Sequence, residues 1–178
     1  MKEPSPNAKP NHFCNVTIDQ PYPPIRPESR DPAYARAMLS NVGSDNSEMS
    51  AISLYFYNSV ILDSKYAEFA QCFHIVSIVE MHHLDIFAKF ACQMGLDPRL
   101  WCERNRRETY WTPAYNQYPR EVRAVVENAI MGEKAAIRKY ERQCETIRDK
   151  NIVENLQRII LDERRHIEIF DSMLERLR

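Results

Sequence analysis

Two polar residues on the apolar face of a long helix constrain the fold of this chain more than any other feature. Residues 150–177 carry apolar side chains at intervals of three and four, which predicts an amphipathic α-helix. The apolar stripe runs through Glu163 and His166, which are three residues, or about one turn, apart. Burial of a carboxylate costs several kcal/mol unless a partner compensates its charge. The sequence therefore predicts a compensating partner for Glu163 inside the protein.

The same pair of residues occurs in a second predicted helix, residues 64–94. There the apolar stripe passes through Glu80 and His83, again three residues apart. One Glu-x-x-His pair on its own would most simply be a buried, hydrogen-bonded pair. Its repetition at an offset of 83 residues instead indicates an internal repeat.

A second shared motif, Glu-x-x-Ala-x-x-x-Tyr, lies upstream of each Glu-x-x-His pair, and its two copies are 85 residues apart. The near-equal offsets predict that one helical hairpin occurs twice in the chain. In both copies the glutamate lies on the apolar stripe of its helix. The motif occurs as Glu48, Ala51 and Tyr55, and again as Glu133, Ala136 and Tyr140.

The predicted fold class is all-α, a four-helix bundle built from two antiparallel helical hairpins joined by a long crossover. Short turns within each hairpin make its helices antiparallel neighbours, and the scarcity of glycine (3 residues) disfavours β-rich folds. The 23 residues between the hairpins can reach about 75 Å, which exceeds a helix about 45 Å long. Two hairpins related by a two-fold axis would bring all six polar residues together. The predicted helices are 44–62 or 47–62, 64–94, 119–147 and 150–177.

The N-terminal region differs in composition from the rest of the chain. Eight of the 11 prolines fall in residues 1–32, which predicts an extended arm over 1–31 and a bundle domain over 32–178. Positions 1 to about 18 are expected to be a disordered tail, whereas Tyr22 and Ile25 are suited to lie along the folded body. A short helix is predicted from 32 to 42, where Asp31 caps it and Pro32 begins it.

Composition narrows the range of partners. A formal net charge of −1 favours neither nucleic acid nor an anionic membrane. Residues 96–118 mix aromatic side chains with arginines, and we interpret them as a connection packed onto the body. No apolar run approaches a bilayer span, and no signal peptide is predicted at the start. Five cysteines without a Cys-x-x-Cys exclude a rubredoxin unit in this chain and favour a reducing cytoplasm, with most of the thiols as packing residues.

The charges of the six polar residues point to metal ions. Four carboxylates carry four negative charges, which two divalent ions would balance, and two imidazoles would give each ion one nitrogen ligand. Bridging glutamates would produce a mixed oxygen and nitrogen shell suited to iron or manganese. Ala51 and Ala136 would leave room beside the ions, and Tyr55 and Tyr140 either bond a carboxylate across the site or are ordinary core aromatics. The predicted metal ligands are Glu48, Glu80, His83, Glu133, Glu163 and His166.

On these paired motifs, residues 32–177 resemble the ferritin-like superfamily and, within it, the rubrerythrin-like di-metal carboxylate proteins, whose ligand pattern is a known one. The resemblance implies a ferritin-like bundle with a binuclear centre held by those six ligands. Relatives often place an aspartate before the glutamate of the fourth helix to hold the opposite histidine. Asp162 occupies that place and is expected to orient His83. Val79 stands at the equivalent place before Glu80, so His166 is expected to lack such a partner.

Two departures from rubrerythrins bear on activity. Peroxide-reducing members usually add a rubredoxin domain, which these cysteines cannot build. They also carry a further glutamate three residues after the ligand of the third helix, where this chain has Ala136. Both departures count against peroxidase activity by that mechanism.

Three functions remain open at this point. The first is a di-iron oxidoreductase, ferroxidase or peroxidase-like, that reacts with oxygen or hydrogen peroxide and is compatible with an external electron donor. The second is a dimanganese centre that disproportionates hydrogen peroxide, as in manganese catalase-like proteins. The third is a non-enzymatic metal-binding or structural protein. The ligand set suits iron and manganese equally, and bundles of this kind often form homodimers through an outer helix face.

Overall fold

The computed structural model describes residues 14–178 and confirms the predicted bundle of two antiparallel helical hairpins. Helices α2 and α3 form the first hairpin, α4 and α5 form the second, and the short α1 packs against α3. None of the helices in this part of the chain is long and apolar enough to cross a membrane. The helices are α1 (Pro32–Gly43), α2 (Glu48–Leu62), α3 (Ala67–Gln93), α4 (Val122–Thr146) and α5 (Lys150–Arg176).

Local capping explains where several of these helices begin and end. The Asp31 side chain accepts hydrogen bonds from the backbone N–H groups of Ala33 and Tyr34, which satisfies free donors at the start of α1. Asp149 accepts from Ile152 in the same way at the start of α5. Just after α3, Gly95 adopts φ +98°, a left-handed conformation that favours glycine and stops the helix. The helical hairpins are therefore bounded by residues whose side chains or backbone favour a break.

The buried core divides into two apolar layers along the bundle. In one layer Phe73 lies between Tyr55 and Phe170, with ring centroids 5.6 Å and 5.0 Å away. In the other layer Phe87 packs against Tyr140 at 5.3 Å. Burial of each such side chain contributes roughly 1.5–3 kcal/mol to folding. The layer between the two is polar, and its residues form the site described below.

The crossover contains a β-hairpin that the sequence did not predict. Strands β1 (Trp101–Arg104) and β2 (Arg107–Tyr110) pair antiparallel, with Trp101 opposite Tyr110. Asn105 and Arg106 form the turn with φ values of 53° and 59°. Both positive values suit a two-residue hairpin turn, but Arg stands where Gly is usual. The turn therefore lacked its usual sequence signal.

Gly43 permits close packing of this hairpin against the end of α1. A Cβ atom at this position would lie 2.7 Å from the carbonyl carbon of Leu100 and 2.8 Å from the oxygen of Trp101. Both are backbone atoms that cannot rotate away. A side chain at position 43 would therefore push β1 away from α1.

The N-terminal arm lies along α5, and side chains of α5 bond to its main chain. Arg158 donates to the carbonyl oxygens of Ile18 and Gln20, at 2.9 Å and 2.8 Å. Asn155 donates to Pro24 at 3.3 Å. Tyr22 and Ile25 pack on the core, as predicted. The proline-rich segment cannot satisfy its carbonyls in secondary structure, so polar residues of α5 do so instead.

One expectation about the start of the chain was wrong for the described residues. The predicted disordered tail reached position 18, but Val16 is buried at 6% exposure and the Ile18 N–H donates to Asp162 at 3.0 Å. The rest of the predicted tail, residues 1–13, lies outside the described residues. Cys14 forms a disulfide with Cys72 of α3, with a Cα–Cα separation of 5.6 Å.

An odd number of cysteines does not exclude one bridge between residues 58 positions apart. The cysteine pattern therefore no longer favours a reducing compartment, and a cytoplasmic location stays a prediction. The thiols of the remaining three, Cys92, Cys102 and Cys144, are free.

Candidate metal centre

Six buried polar side chains form the layer between the two parts of the core. None of them is more than 2% exposed. The helical positions explain the convergence, since each of the four long helices places its polar residues on the face that points into the bundle. The structure brings all six predicted ligand residues together: Glu48, Glu80, His83, Glu133, Glu163 and His166.

The six residues form two overlapping groups, each with ligand atoms within 4.8 Å of one another. Glu80 and Glu163 belong to both groups. A carboxylate has two oxygens, so a residue shared in this way can offer one oxygen to each of two ions. One group is completed by Glu48 and His83, and the other by Glu133 and His166.

Each histidine directs its Nδ1 atom toward carboxylate oxygens. His83 Nδ1 lies 3.0 Å from Glu80 and 3.4 Å from Glu163. His166 Nδ1 lies 3.0 Å from both Glu80 and Glu163, and 3.4 Å from Glu133. One Nδ1 atom cannot donate well to several acceptors at once. A nitrogen and several oxygens this close together are the arrangement expected when all of them bind the same cation.

Unsatisfied atoms in this layer fit the same interpretation. The Oε1 atoms of Glu80 and Glu163 are buried and make no hydrogen bond of good geometry within residues 14–178. Buried carboxylate oxygens without partners are strongly unfavourable. They belong to the two shared glutamates, whose oxygens would bridge two ions. The donor set of carboxylates and imidazoles fits iron or manganese.

Protons partly replace cations when this layer holds no metal. Burial, together with the negative charges of Glu163 and Glu80, raises the pKa of Glu133 to about 8. Burial together with the same two charges raises the pKa of Glu48 well above its usual value. Both carboxyl groups would release protons when a metal binds.

The histidines and the shared Glu80 shift in the directions expected for charge pairing. Burial opposes the charged imidazoles, but the surrounding carboxylates raise the pKa of His83 and of His166 well above the usual range. Burial likewise opposes the charged form of Glu80, yet the two histidines hold its pKa below the ordinary value. The layer is therefore a compact set of compensating charges.

Each tyrosine of the repeated motif bonds to the glutamate of the other hairpin. The Tyr55 hydroxyl donates to Glu133 at 2.6 Å, and the Tyr140 hydroxyl donates to Glu48. Burial and these carboxylates raise the pKa of both phenols, which therefore stay protonated donors. Each bond leaves one carboxylate oxygen directed into the polar layer. Of the two interpretations of these tyrosines, the hydrogen bonds favour the one in which each tyrosine bonds a carboxylate across the site.

The far side of His83 has partners that the sequence indicated only in part. His83 Nε2 lies 3.3 Å from Asp162, the residue expected there, and 3.2 Å from the hydroxyl of Tyr22. Tyr22 also donates to Asp162, and burial raises its pKa to about 12. Arg158 forms an ion pair with Asp162 at 2.8 Å. Arg158 and Asp162 are four residues apart on one helix, so their ion pair could have been predicted from the sequence. Nothing in the sequence indicated that Tyr22 reaches this site.

Among residues 14–178, the other histidine has no corresponding partner. His166 Nε2 is buried and unbonded in the described part of the chain, and Val79 occupies the position equivalent to Asp162. His82, next to His83, lies largely at the surface, with its ring centroid 4.5 Å from that of Tyr22. The two halves of the site therefore have the same types of ligand residue and differ in the hydrogen-bond partners of the histidine Nε2 atoms.

A cavity of about 280 Å³ leads from the surface between α2 and α4 to this layer. Glu48 and Glu133 line its inner end, together with the small side chains of Ala51 and Ala136. Residues 115–117 of the crossover line the outer part. Glu48 and Glu133, the two glutamates that are not shared between the ligand groups, both face the cavity. The cavity is large enough for a small molecule.

Comparison with known proteins agrees with this fold. The model of the rubrerythrin family matches residues 44–174. Two solved structures of KatB, a manganese catalase from Anabaena, one of them the wild type, each match with a TM-score of 0.77. Their sequence identities are 20% and 19%, and each alignment covers 90% of this chain and 79% of the other. None of the curated proteins matches the chain.

Proposed function

We propose, since the chain belongs to the rubrerythrin family, that the six buried residues bind two metal ions and that the protein is an oxidoreductase acting on hydrogen peroxide or oxygen. The observation that carries this proposal is the pair of glutamates shared between the two ligand groups. Shared carboxylates with unsatisfied oxygens have little use in a purely structural core, but they suit a binuclear centre. When bound, two such ions would supply the electron transfer that an O–O substrate requires.

The ligands divide between the two ions by proximity. Glu48 and His83 would serve one ion, and Glu133 and His166 the other, each through the Nδ1 atom of the histidine. Glu80 and Glu163 would contact both ions. This allocation balances four carboxylates against two divalent cations. It also places the two unshared glutamates on the side that faces the cavity.

The surroundings of the cavity suit a small substrate. Tyr55 and Tyr140 each hold one oxygen of a cavity-facing glutamate, which fixes the direction of the other oxygen. Ala51 and Ala136 leave space next to these glutamates. Peroxide or oxygen would approach from the α2 and α4 side, while the histidines and shared glutamates lie behind.

Iron is our first candidate for the bound metal, with manganese second. The dimanganese alternative, disproportionation of hydrogen peroxide to water and oxygen, is favoured by the KatB structures, which are named as manganese catalase. It is also favoured by Ala136, which stands where peroxide-reducing rubrerythrins carry a further glutamate. Disproportionation needs no external electron donor, whereas the di-iron reaction is expected to use one.

Loading the metal-free protein separately with Fe(II) and Mn(II) tests these alternatives. Two ions per chain should bind in each case. If the di-iron proposal is right, hydrogen peroxide should change the visible absorbance of the iron form, and the manganese form should release little oxygen. Sustained oxygen release from the manganese form alone would support the catalase alternative. No reaction from either form would leave a structural metal site.

Matched variants test the ligand assignment. Glu80→Ala or Glu163→Ala should lower the metal content by at least one ion per chain, because each residue serves both groups. Glu68→Ala and Glu168→Ala, at exposed positions paired with surface arginines, should retain both ions. Equal metal loss in both sets would refute the assignment.

A homodimer stays a prediction, and exposed apolar side chains on the first hairpin give it a candidate surface. Phe56 and Val60 of α2 are 63% and 61% exposed, and Ile78 and Met81 of α3 are each 48% exposed. Burial of these side chains against a second copy would remove apolar surface from water. Sedimentation of the metal-loaded protein would determine the oligomeric state.

A further inference from the structure

The two histidines of the centre differ in what holds their outer nitrogen. His83 Nε2 has two oxygens within reach, at 3.2 Å in Tyr22 and 3.3 Å in Asp162. His166 Nε2 is buried with no hydrogen-bond partner in the region that the structure describes. The difference lies within the repeat, because α5 carries Asp162 at the position where α3 carries Val79. The inner ligand groups are matched, so the asymmetry lies only behind the histidines.

The N-terminal arm delivers Tyr22 to His83 and holds it there. Arg158 bonds to the arm on the N-terminal side of Tyr22, through the carbonyls of Ile18 and Gln20, and its guanidinium lies 4.2 Å from the centroid of the Tyr22 ring. Glu28 anchors the later part of the arm, where its N–H donates to Asp149 at 2.6 Å. The arm is therefore anchored both before and after Tyr22, which fixes the position of the Tyr22 side chain.

The first described residue of the arm, Cys14, is held covalently. The disulfide between Cys14 and Cys72 joins the arm to α3, the helix that carries His83. The Ile18 N–H then donates to Asp162, so the arm contacts this carboxylate with main chain and side chain alike. The arm is in this respect part of the site, although it lies outside the four-helix repeat.

Hydrogen-bond direction assigns a function to the Tyr22 hydroxyl. It donates its proton to Asp162, so its oxygen is left to accept from His83 Nε2–H. A proton held on Nε2 leaves the Nδ1 lone pair directed at the oxygens of Glu80 and Glu163. Outer hydrogen bonds of this kind fix the tautomer of a ligating histidine and increase its basicity. In the described part of the chain, no group does this for His166.

We propose that the arm makes the two metal positions unequal, with Tyr22 as a positioning residue that strengthens metal binding beside His83. This inference rests on the two-metal centre proposed above. Loss of an outer partner typically weakens metal affinity 10–100-fold. The position beside His83 should therefore bind at least roughly tenfold more tightly than the position beside His166.

The test isolates each position in the full chain and measures Mn(II) binding by calorimetry. His166→Ala leaves the position beside His83, and His83→Ala leaves the position beside His166. The first variant should bind one Mn(II) at least roughly tenfold more tightly than the second. Adding Tyr22→Phe should weaken binding about tenfold in the His166→Ala protein and leave the His83→Ala protein unchanged. A general loss of structure caused by Tyr22→Phe would instead weaken Mn(II) binding in both single-histidine proteins.

Tyr34→Phe is the matched control, because its hydroxyl accepts from the N–H of Arg148, away from the site. In the otherwise unaltered chain, Tyr22→Phe should weaken the first Mn(II) step and Tyr34→Phe should not. This comparison decides the matter even if a histidine variant fails to fold.

The possible failures separate the two proposals. Equal affinity in the two single-histidine variants, or no effect of Tyr22→Phe on the first step, would overturn the inference and leave the two-metal centre standing. No Mn(II) binding to the unaltered protein, together with no Fe(II) binding, would overturn the centre itself.

Discussion

Removal of the metal should make the stability of this protein fall as the pH rises from 5 to 8. In the metal-free chain the pKa of Glu133 is raised to about 8 from its ordinary value of 4.5. Between those two values the folded state keeps a proton that the unfolded state has released. Stability is therefore greatest at the acidic end of this range and is lost as the pH approaches the folded pKa.

The size of the effect follows from proton linkage. One retained proton lowers the free energy of unfolding by about 1.4 kcal/mol for each pH unit. From pH 5 to pH 7, Glu133 alone accounts for a loss of roughly 3 kcal/mol. Glu48 adds to this loss, and His83 and His166 add to it above pH 6.5, because their pKa values are also raised. Glu80 has a lowered pKa, so it contributes only below about 4.5.

Urea unfolding followed by circular dichroism, at fixed pH values from 5 to 8 with a chelator present, measures this slope. Glu133→Gln should reduce the loss between pH 5 and pH 7 by roughly 3 kcal/mol, since the amide keeps the Tyr55 hydrogen bond and cannot ionise. Glu141→Gln, at an exposed position on the same helix, should leave the slope unchanged. Metal should reverse the trend, because it displaces the same protons and binds more tightly at higher pH.

A metal-free protein whose stability is flat or rising between pH 5 and 8 would refute the reasoning. A Glu133→Gln variant that keeps the full slope would show that the protons are held elsewhere. Either result would mean that the buried carboxyl groups are not paired as the structure indicates.

Three other perturbations have expected outcomes. Cys14→Ser, which breaks the bridge to Cys72 across 58 residues, should lower the unfolding free energy by about 4 kcal/mol in urea titrations of the oxidised protein. Gly43→Ala should cost roughly 1–3 kcal/mol in the same assay, because its methyl group meets the backbone of β1. Ala136→Leu should fill the inner end of the cavity and slow the reaction with peroxide roughly tenfold or more, with metal content by elemental analysis unchanged.

The four long helices could be predicted because their signals are local and repeated. The predicted ranges 64–94 and 150–177 differ from the observed Ala67–Gln93 and Lys150–Arg176 by a few residues at the ends. The convergence of six polar residues also followed from periodicity, since a residue on an apolar stripe must point into the core. Periodicity and an internal repeat together were enough to place the polar layer.

Contacts outside the periodic segments were beyond the reach of the same reasoning. The turn of the β-hairpin uses Asn105 and Arg106 without glycine, so the usual signal was missing. The arm has no internal hydrogen-bond pattern, and its path depends on donors such as Arg158 that lie more than 130 residues away. Pairing of Cys14 with Cys72 likewise depends on where the arm lies. Such contacts are set by tertiary structure rather than by local sequence.

The two halves of the repeat contact the arm differently, because α3 is joined to it by the Cys14–Cys72 disulfide whereas α5 bonds to its main chain. Four side chains of α5 at intervals of three and four bond to the arm. The residues 83 positions earlier on α3 make no equivalent bonds to the described main chain of the arm, because Glu68, Ile75 and Val79 lack a donor for carbonyl oxygens and Cys72 is in the disulfide with Cys14. The main chain of the arm is therefore bonded mostly by side chains of α5, and of the two ligand histidines Tyr22 reaches only His83, which faces Asp162. Two helices with the same inner ligands thus give unequal metal positions through their outer faces, which carry Asn151, Asn155, Arg158 and Asp162 on α5 and Glu68, Cys72, Ile75 and Val79 on α3.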